Sequence, residues 1–330
     1  PTTIDTDTYV PKHQLSVQDP PVMGWSGSLT TIKHLRTIEP TLQRLGSKTP
    51  FELRVVGNQD FNIEGVRVRS KAWSSKSEVE DLQSFDLGMM PLPQDRWSVG
   101  KCGLKALQYM AVGVPTIASP VGVNLEIIQD GKNGFIASTP DEWEDKLMQL
   151  LSNQSLREQF SQNGRVTVEQ YYSAKTQAPR LLELFEQLTH KRTQPSGYTR
   201  LASTTTAGLG SLPPAPAQLQ PQDILCFSSI DWDFVWQGHQ EIMRTLARQG
   251  HRVLFIDNTG VRNPQVRDFA RIRRRLANWR KSLQGFRQIE DNLTVFSPLV
   301  MPFPYARWAQ RLNANSMVSS IRSWMSAMGF

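Results

Sequence analysis

Between Pro21 and Gln187, short apolar runs alternate with segments of helical period, and this alternation limits the fold more than any other feature. Residues 21–25, 51–57, 65–68, 86–93, 114–119 and 135–138 read as strands. Leu35, Ile38, Leu42 and Leu45 share one face of a helix that Ser28 can cap. Trp143, Leu147 and Leu151 line another, opened by Ser138 or Thr139. Strands that alternate with helices predict an α/β fold with a Rossmann-like, doubly wound parallel sheet covered on both faces.

The text changes at His190. Residues 190–222 are rich in Ser, Thr, Pro, Gly, Ala and Gln, cannot bury a core, and read as a flexible linker. A second alternation starts at Asp223: a strand over 224–230, a helix over 240–249 stopped by Gly250, and a strand over 252–257. This is a βαβ opening. A doubly wound domain needs more strands than 223–330 supplies, so the second domain reads as incomplete.

Cys102 and Cys226 lie far apart and form neither a disulfide framework nor a metal motif, so a reducing cytoplasm is the expected compartment. No apolar run is long enough to cross a bilayer. The net charge of +7 is uneven. Residues 266–286 are arginine-rich, with Phe269, Ile272, Leu276, Trp279 and Leu283 at helical spacing. The stretch reads as a basic amphipathic helix suited to anionic lipid on the inner face of a membrane, or as a solvated face over a core stripe. No nucleic-acid-binding module accompanies it, so no nucleic-acid partner is expected.

The chemistry concentrates at strand ends, where an open α/β sheet takes its ligands. Gly100, Lys101, Gly103 and Lys105 open a helix, with the two lysines four residues apart on one face. Cations are unfavourable at a helix N-terminus unless an anion is bound there, so this start reads as a phosphate site. Gly24, Gly27 and Ser28 form a second candidate anion loop, or a tight turn. Gly57 ends a strand where a ligand can approach the backbone. Val121 and Gly122 follow the strand at 114–119. Glu126 either accepts from sugar hydroxyls or favours a helix start. In the second domain Asp231, Asp233, Gln237 and His239, beside Trp232 and Trp236, either grip an acceptor carbohydrate or serve as a helix cap and structural aromatics. The acid pairs Asp231/Asp233 and Asp5/Asp7 lack a third oxygen ligand, so no metal is expected.

The block LQYMAVGVPTIASPVGVNLEIIQDGKNGFI resembles the signature of the glycosyl transferases group 1 family, enzymes of GT-B fold. The resemblance covers about Pro21–Gln187 and implies a donor-nucleotide domain over 21–189. It implies that residues 1–20 are the crossover between two domains, and that the acceptor domain of this enzyme lies upstream. LARQGHRVLF resembles the helix–strand block that opens an acceptor-type domain, so 223–330 is the N-terminal part of a second unit in a tandem enzyme. The two glutamates of the family, eight residues apart, fall on Gly100 and Gln108, and its phosphate-gripping Arg and Lys have no counterpart near Ser26–Thr31.

The expected function is transfer of a sugar from a nucleotide-diphosphate sugar to a surface polysaccharide, glycoconjugate or lipid-linked acceptor, with no metal and no cofactor. Lys101 and Lys105 would act catalytically by stabilising the leaving diphosphate, Gln108 would hold ribose, and Glu126 or the amides around Val121 and Gly122 would hold the sugar or phosphate. The alternatives are a catalytically degenerate nucleotide-binding or scaffold module, favoured by the missing glutamate, and a nucleotide-sugar epimerase.

Overall fold

The computed structural model describes residues 2–12, 19–191, 220–233, 238–257, 285–298 and 306–330. The chain divides into two units, Pro1–Gln177 and Ala178–Phe330. Residues 192–219 of the expected linker, Gln237 and residues 266–284 of the basic stretch lie outside the described residues.

In the first unit six strands run parallel: β1 (Val22–Ser26), β2 (Glu52–Val56), β3 (Val68–Lys71), β4 (Leu87–Met90), β5 (Thr116–Ala118) and β6 (Phe135–Ile136). Their order is β3-β2-β1-β4-β5-β6. That order reverses between β1 and β4, and the crevice beyond the strand ends there is where such sheets bind ligands. Successive side chains alternate between two cores, as the strand period requires. Met23, Trp25, Leu53, Val55, Leu87, Met89 and Ile117 face one core. Val22, Val56, Met90 and Ala118 face the other. Helices α1 (Ile32–Arg36), α2 (Glu39–Gly46), α7 (Pro140–Ser152) and α8 (Gln154–Thr167) close the first face. Helices α3 (Glu78–Gln83), α5 (Leu104–Ala111) and α6 (Asn124–Ile127) close the second. The predicted doubly wound α/β fold is present.

Three local readings are corrected. The helix expected after Ser28 is two helices. Pro40 sits in the first turn of α2, and in one continuous helix its ring would meet the carbonyl of Arg36, so the chain breaks there. Leu35, Ile38, Leu42 and Leu45 are buried all the same. The strand expected over 65–68 lies at Val68–Lys71. The helix expected to start around Lys101 starts at Leu104, preceded by a short helix α4 (Arg96–Val99) that Asp95 caps by accepting from the Ser98 amide at 2.6 Å. Thr139 caps α7, accepting from the amide of Glu142, whose carboxylate accepts in turn from the Ser138 amide.

The entering segment belongs to the first unit. Ile4 bridges Ser173, and the Arg165 guanidinium donates to the carbonyls of Thr6, Tyr9 and Ala111.

The second unit contains β7 (Asp223–Phe227), α10 (Gly238–Arg248), β8 (Arg252–Ile256), β9 (Phe286–Glu290), β10 (Leu293–Phe296) and α11 (Arg307–Met328), together with Ala178 and Leu182 of α9 (Ala174–Lys191). The sheet order is β7-β8-β10-β9. The first two pairings are parallel, so the expected βαβ opening is present, and β9 joins antiparallel. Phe286, expected to end the basic helix, opens strand β9 instead.

Candidate functional site

Strand β1 ends at Ser26 and the chain turns through Gly27–Thr31 into α1. The turn is internally bonded. Gly27 donates its amide to the Val56 carbonyl at 2.9 Å, and Ser28 donates its amide to the Thr31 hydroxyl at 2.9 Å. Neither amide is left for an anion, so the expected Gly27–Ser28 anion loop is a bonded turn. Gly24 is not in the turn. It is a mid-strand residue paired with Arg54 and Gly88, and a Cβ there would lie 2.0 Å from the Phe85 ring. Gly57 has φ +114° and a Cβ there would lie 1.7 Å from the Gly27 carbonyl oxygen. The close approach that needs glycine is to the protein's own backbone, not to a ligand.

What the turn and α1 do contribute is cationic. His34 on α1 is buried, and its Nε2 lies 3.3 Å from Lys101 Nζ. Lys101 sits in the link between α4 and α5, where its own amide donates to the Ser98 carbonyl. Lys105, in the first turn of α5, places its ammonium 4.8 Å from the centroid of the buried Trp25 ring, a cation–π contact. Burial, and then the charge of Lys101, pushes Lys105 down to about 8. Burial chiefly, with Lys33 adding, lowers Lys101. His34 is lowered by burial and then by Lys101, Lys105 and Lys33. Asp95 is the acid within reach, and it is occupied at the α4 N-terminus, where the Ser98 amide holds its carboxyl below the usual range. The N-cap of α5 is Gly103, which brings no side chain to the first-turn amides. Lys33, His34, Lys101, Lys105 and an uncapped helix start therefore converge at the β1/β4 switch point, where Asp95 is the acid that acts on His34 and Lys101 among the described residues.

The other expected donor residues are placed differently. Gly100 ends α4. Gln108 is buried on α5, its amide donating to the Tyr9 hydroxyl at 3.0 Å and to Glu78 at 3.3 Å. Val121 is buried and its amide donates to the Ser119 carbonyl, so it offers nothing to a phosphate. Gly122 lies against the Val99 carbonyl, 2.5 Å from where a Cβ would stand. Glu126 is exposed in the first turn of α6, and its charge helps push up the Tyr172 hydroxyl.

Of the acceptor-side candidates in the second unit, Asp231, Asp233 and His239 are among the described residues. Trp232 is core, edge-on to Phe255 at 4.8 Å, and is unavailable for stacking on a sugar. Asp233 pairs with Arg287 at 2.8 Å, and His239 with the Ser228 hydroxyl at 3.0 Å. Asp231 is half-buried at the β7 end. Asp5 accepts from the Asp7 amide and Thr8 hydroxyl, and Asp7 pairs with Lys175. Among the described residues no group of three His, Cys, Asp or Glu could hold a metal, and no helix is long and apolar enough to cross a membrane.

Residues 92–167, from the end of β4 to the end of α8, match the family described as "Glycosyl transferases group 1". An uncharacterized glycosyltransferase of Methanocaldococcus jannaschii is 37% identical over 65 residues, 19% of this chain and 18% of that protein. Spore coat protein SA of Bacillus subtilis is 34% identical over 80 residues, 23% of this chain and 21% of that one. The chain thus spans about a fifth of the length of these curated relatives. The C-terminal domain of a glycosyl transferase group 1 family protein from Francisella tularensis is 18% identical with a TM-score of 0.42, covering 52% of this chain and 98% of that one. The matched segment contains Lys101 and Lys105. Lys33 and His34 lie outside it and join it only in space.

Proposed function

We propose that the first unit binds the diphosphate of a nucleotide sugar at the Lys33–His34–Lys101–Lys105 cluster and serves glycosyl transfer. The carrying observation is the convergence of Lys33, Lys101 and Lys105, the His34 ring and the uncapped start of α5 at the β1/β4 switch point. The family of residues 92–167 supports the reaction class. As the glycosidic bond to the leaving phosphate breaks, negative charge grows on the diphosphate. Lys101, Lys105 and the α5 amides stabilise that charge in a site shielded from water by Trp25 and His34. These cations supply the charge that a divalent ion supplies elsewhere, so the reading expects transfer without a metal. The acceptor is a surface polysaccharide, a glycoconjugate or a lipid-linked sugar, met by a companion domain of a tandem, peripherally membrane-bound enzyme.

The second reading is a nucleotide-binding module without turnover. The engagement of Gln108 by Tyr9 and Glu78 favours it, because a ribose would have to compete with those bonds. The full-length protein incubated with UDP-, GDP- or ADP-glucose in chelator separates the two. Release of the nucleoside diphosphate, abolished by Lys105→Ala, supports transfer. Tight binding with no release supports the module, and an isomerised but intact donor sugar indicates an epimerase.

A further inference from the structure

The anion site described above contains a residue that packing does not explain. His34 is 2% exposed, and at that depth an apolar side chain would need no hydrogen-bond partner. Among the described residues its Nδ1 is buried without a partner, an arrangement that destabilises the fold. Its other nitrogen meets Lys101 Nζ at 3.3 Å. An ammonium has only protons to give, so Nε2 accepts and the proton of the ring sits on Nδ1. From the proposed reading of the anion site, we infer that His34 is a positioning residue. As a neutral acceptor it fixes the Lys101 ammonium for the diphosphate.

The alternative partner for Lys101 would be a carboxylate, which would neutralise the site. A neutral imidazole aims the ammonium while leaving its charge whole. The charged groups around the ring agree with this role. Lys33 on its own helix, Lys101 in the α4–α5 link and Lys105 on α5 all disfavour a protonated ring, and Asp95 at the start of α4 opposes them. Protonating His34 removes the acceptor that Lys101 meets, so the aiming role belongs to the neutral ring.

The test is a double-mutant cycle on the full chain, titrated with inorganic pyrophosphate at neutral pH. His34→Leu and Lys101→Ala are each expected to weaken binding about tenfold. The double variant is expected to be no weaker than Lys101→Ala alone. His34→Gln, which keeps an acceptor, should stay within about threefold of the parent. His34→Leu should also melt no lower than the parent, since it removes an unpaired buried donor. Nitrogen-15 spectra should show His34 protonated at Nδ1, and Lys101→Ala should let it titrate at higher pH. Losses that multiply in the double variant, or His34→Leu affinity equal to the parent, would overturn the inference and leave the anion site standing. A parent chain that binds no pyrophosphate would overturn the anion site and this inference together.

Discussion

Replacing Gly57 by alanine is expected to destabilise the first unit by about 4 kcal/mol. The backbone there has φ +114°, which an L side chain adopts at a cost of about 1–3 kcal/mol. The added Cβ would also stand 1.7 Å from the Gly27 carbonyl oxygen, and a backbone atom cannot swing aside as a side-chain tip can. Overpacking of that kind adds about 1–3 kcal/mol. The expected fall in melting temperature is roughly 10 °C. Relief requires the Gly27–Thr31 turn to move, and α1 carries His34 with it, so diphosphate affinity should fall as well. Gly65→Ala is the control. Gly65 has φ +76° but open space around its Cβ, so only the backbone term applies, about 1 kcal/mol. Thermal melts of the two variants check the argument, and equal melting temperatures would refute it.

The second large effect is on binding. Removing both ammonium groups, in Lys101→Ala/Lys105→Ala, is expected to weaken nucleoside diphosphate binding at least a hundredfold, since each charged contact is worth about 1.5–3 kcal/mol. Lys105→Met carries a sharper signature. Burial lowers Lys105 to about 8, so in the folded protein its charge is disfavoured. The stability cost is present below that value and disappears as the pH climbs from there to the ordinary lysine range. A neutral side chain of similar length removes the cost. The variant should therefore melt higher at neutral pH, by about 1 kcal/mol after allowance for partial exposure, and bind diphosphate more weakly. Calorimetry and melts on one preparation read both. A lysine that merely solvated a helix start would move neither.

The pattern of strands and helices was legible because each period matches one geometry. What broke it was local chemistry. Pro40 divides a helix whose apolar face reads as continuous, since Leu35, Ile38, Leu42 and Leu45 keep their spacing across the break. Asp95 and Ser98 spell a capped turn too short to show a period, so α4 was not read and the start of α5 was placed early. The two lysines stand out in the sequence because cations at a helix start are anomalous. His34 was missed because it occupies a core position beside Leu35, and only the fold shows that Lys101, 67 residues away, meets it. Gly57 reads as ligand clearance and Gly24 as part of an anion loop or a tight turn, but their space is taken by the molecule itself: the Gly27 carbonyl at Gly57, the Phe85 ring at Gly24. Trp232 reads as a sugar platform or as a structural aromatic, because sequence does not tell an exposed ring from a core one; it is core.

The most direct test of the account is calorimetric titration of the chain with UDP, GDP and ADP at pH 8, in two buffers that differ in ionisation enthalpy. Lys105 titrates near that pH in the free protein, and an arriving diphosphate favours its charged form. The account predicts that one of these nucleotides binds, that binding takes up about half a proton, and that the uptake is lost in Lys105→Met. Affinity should also fall as the pH rises above 8. Binding of none of the three, or binding with no proton uptake that Lys105→Met leaves unchanged, would contradict a diphosphate seated on this cluster.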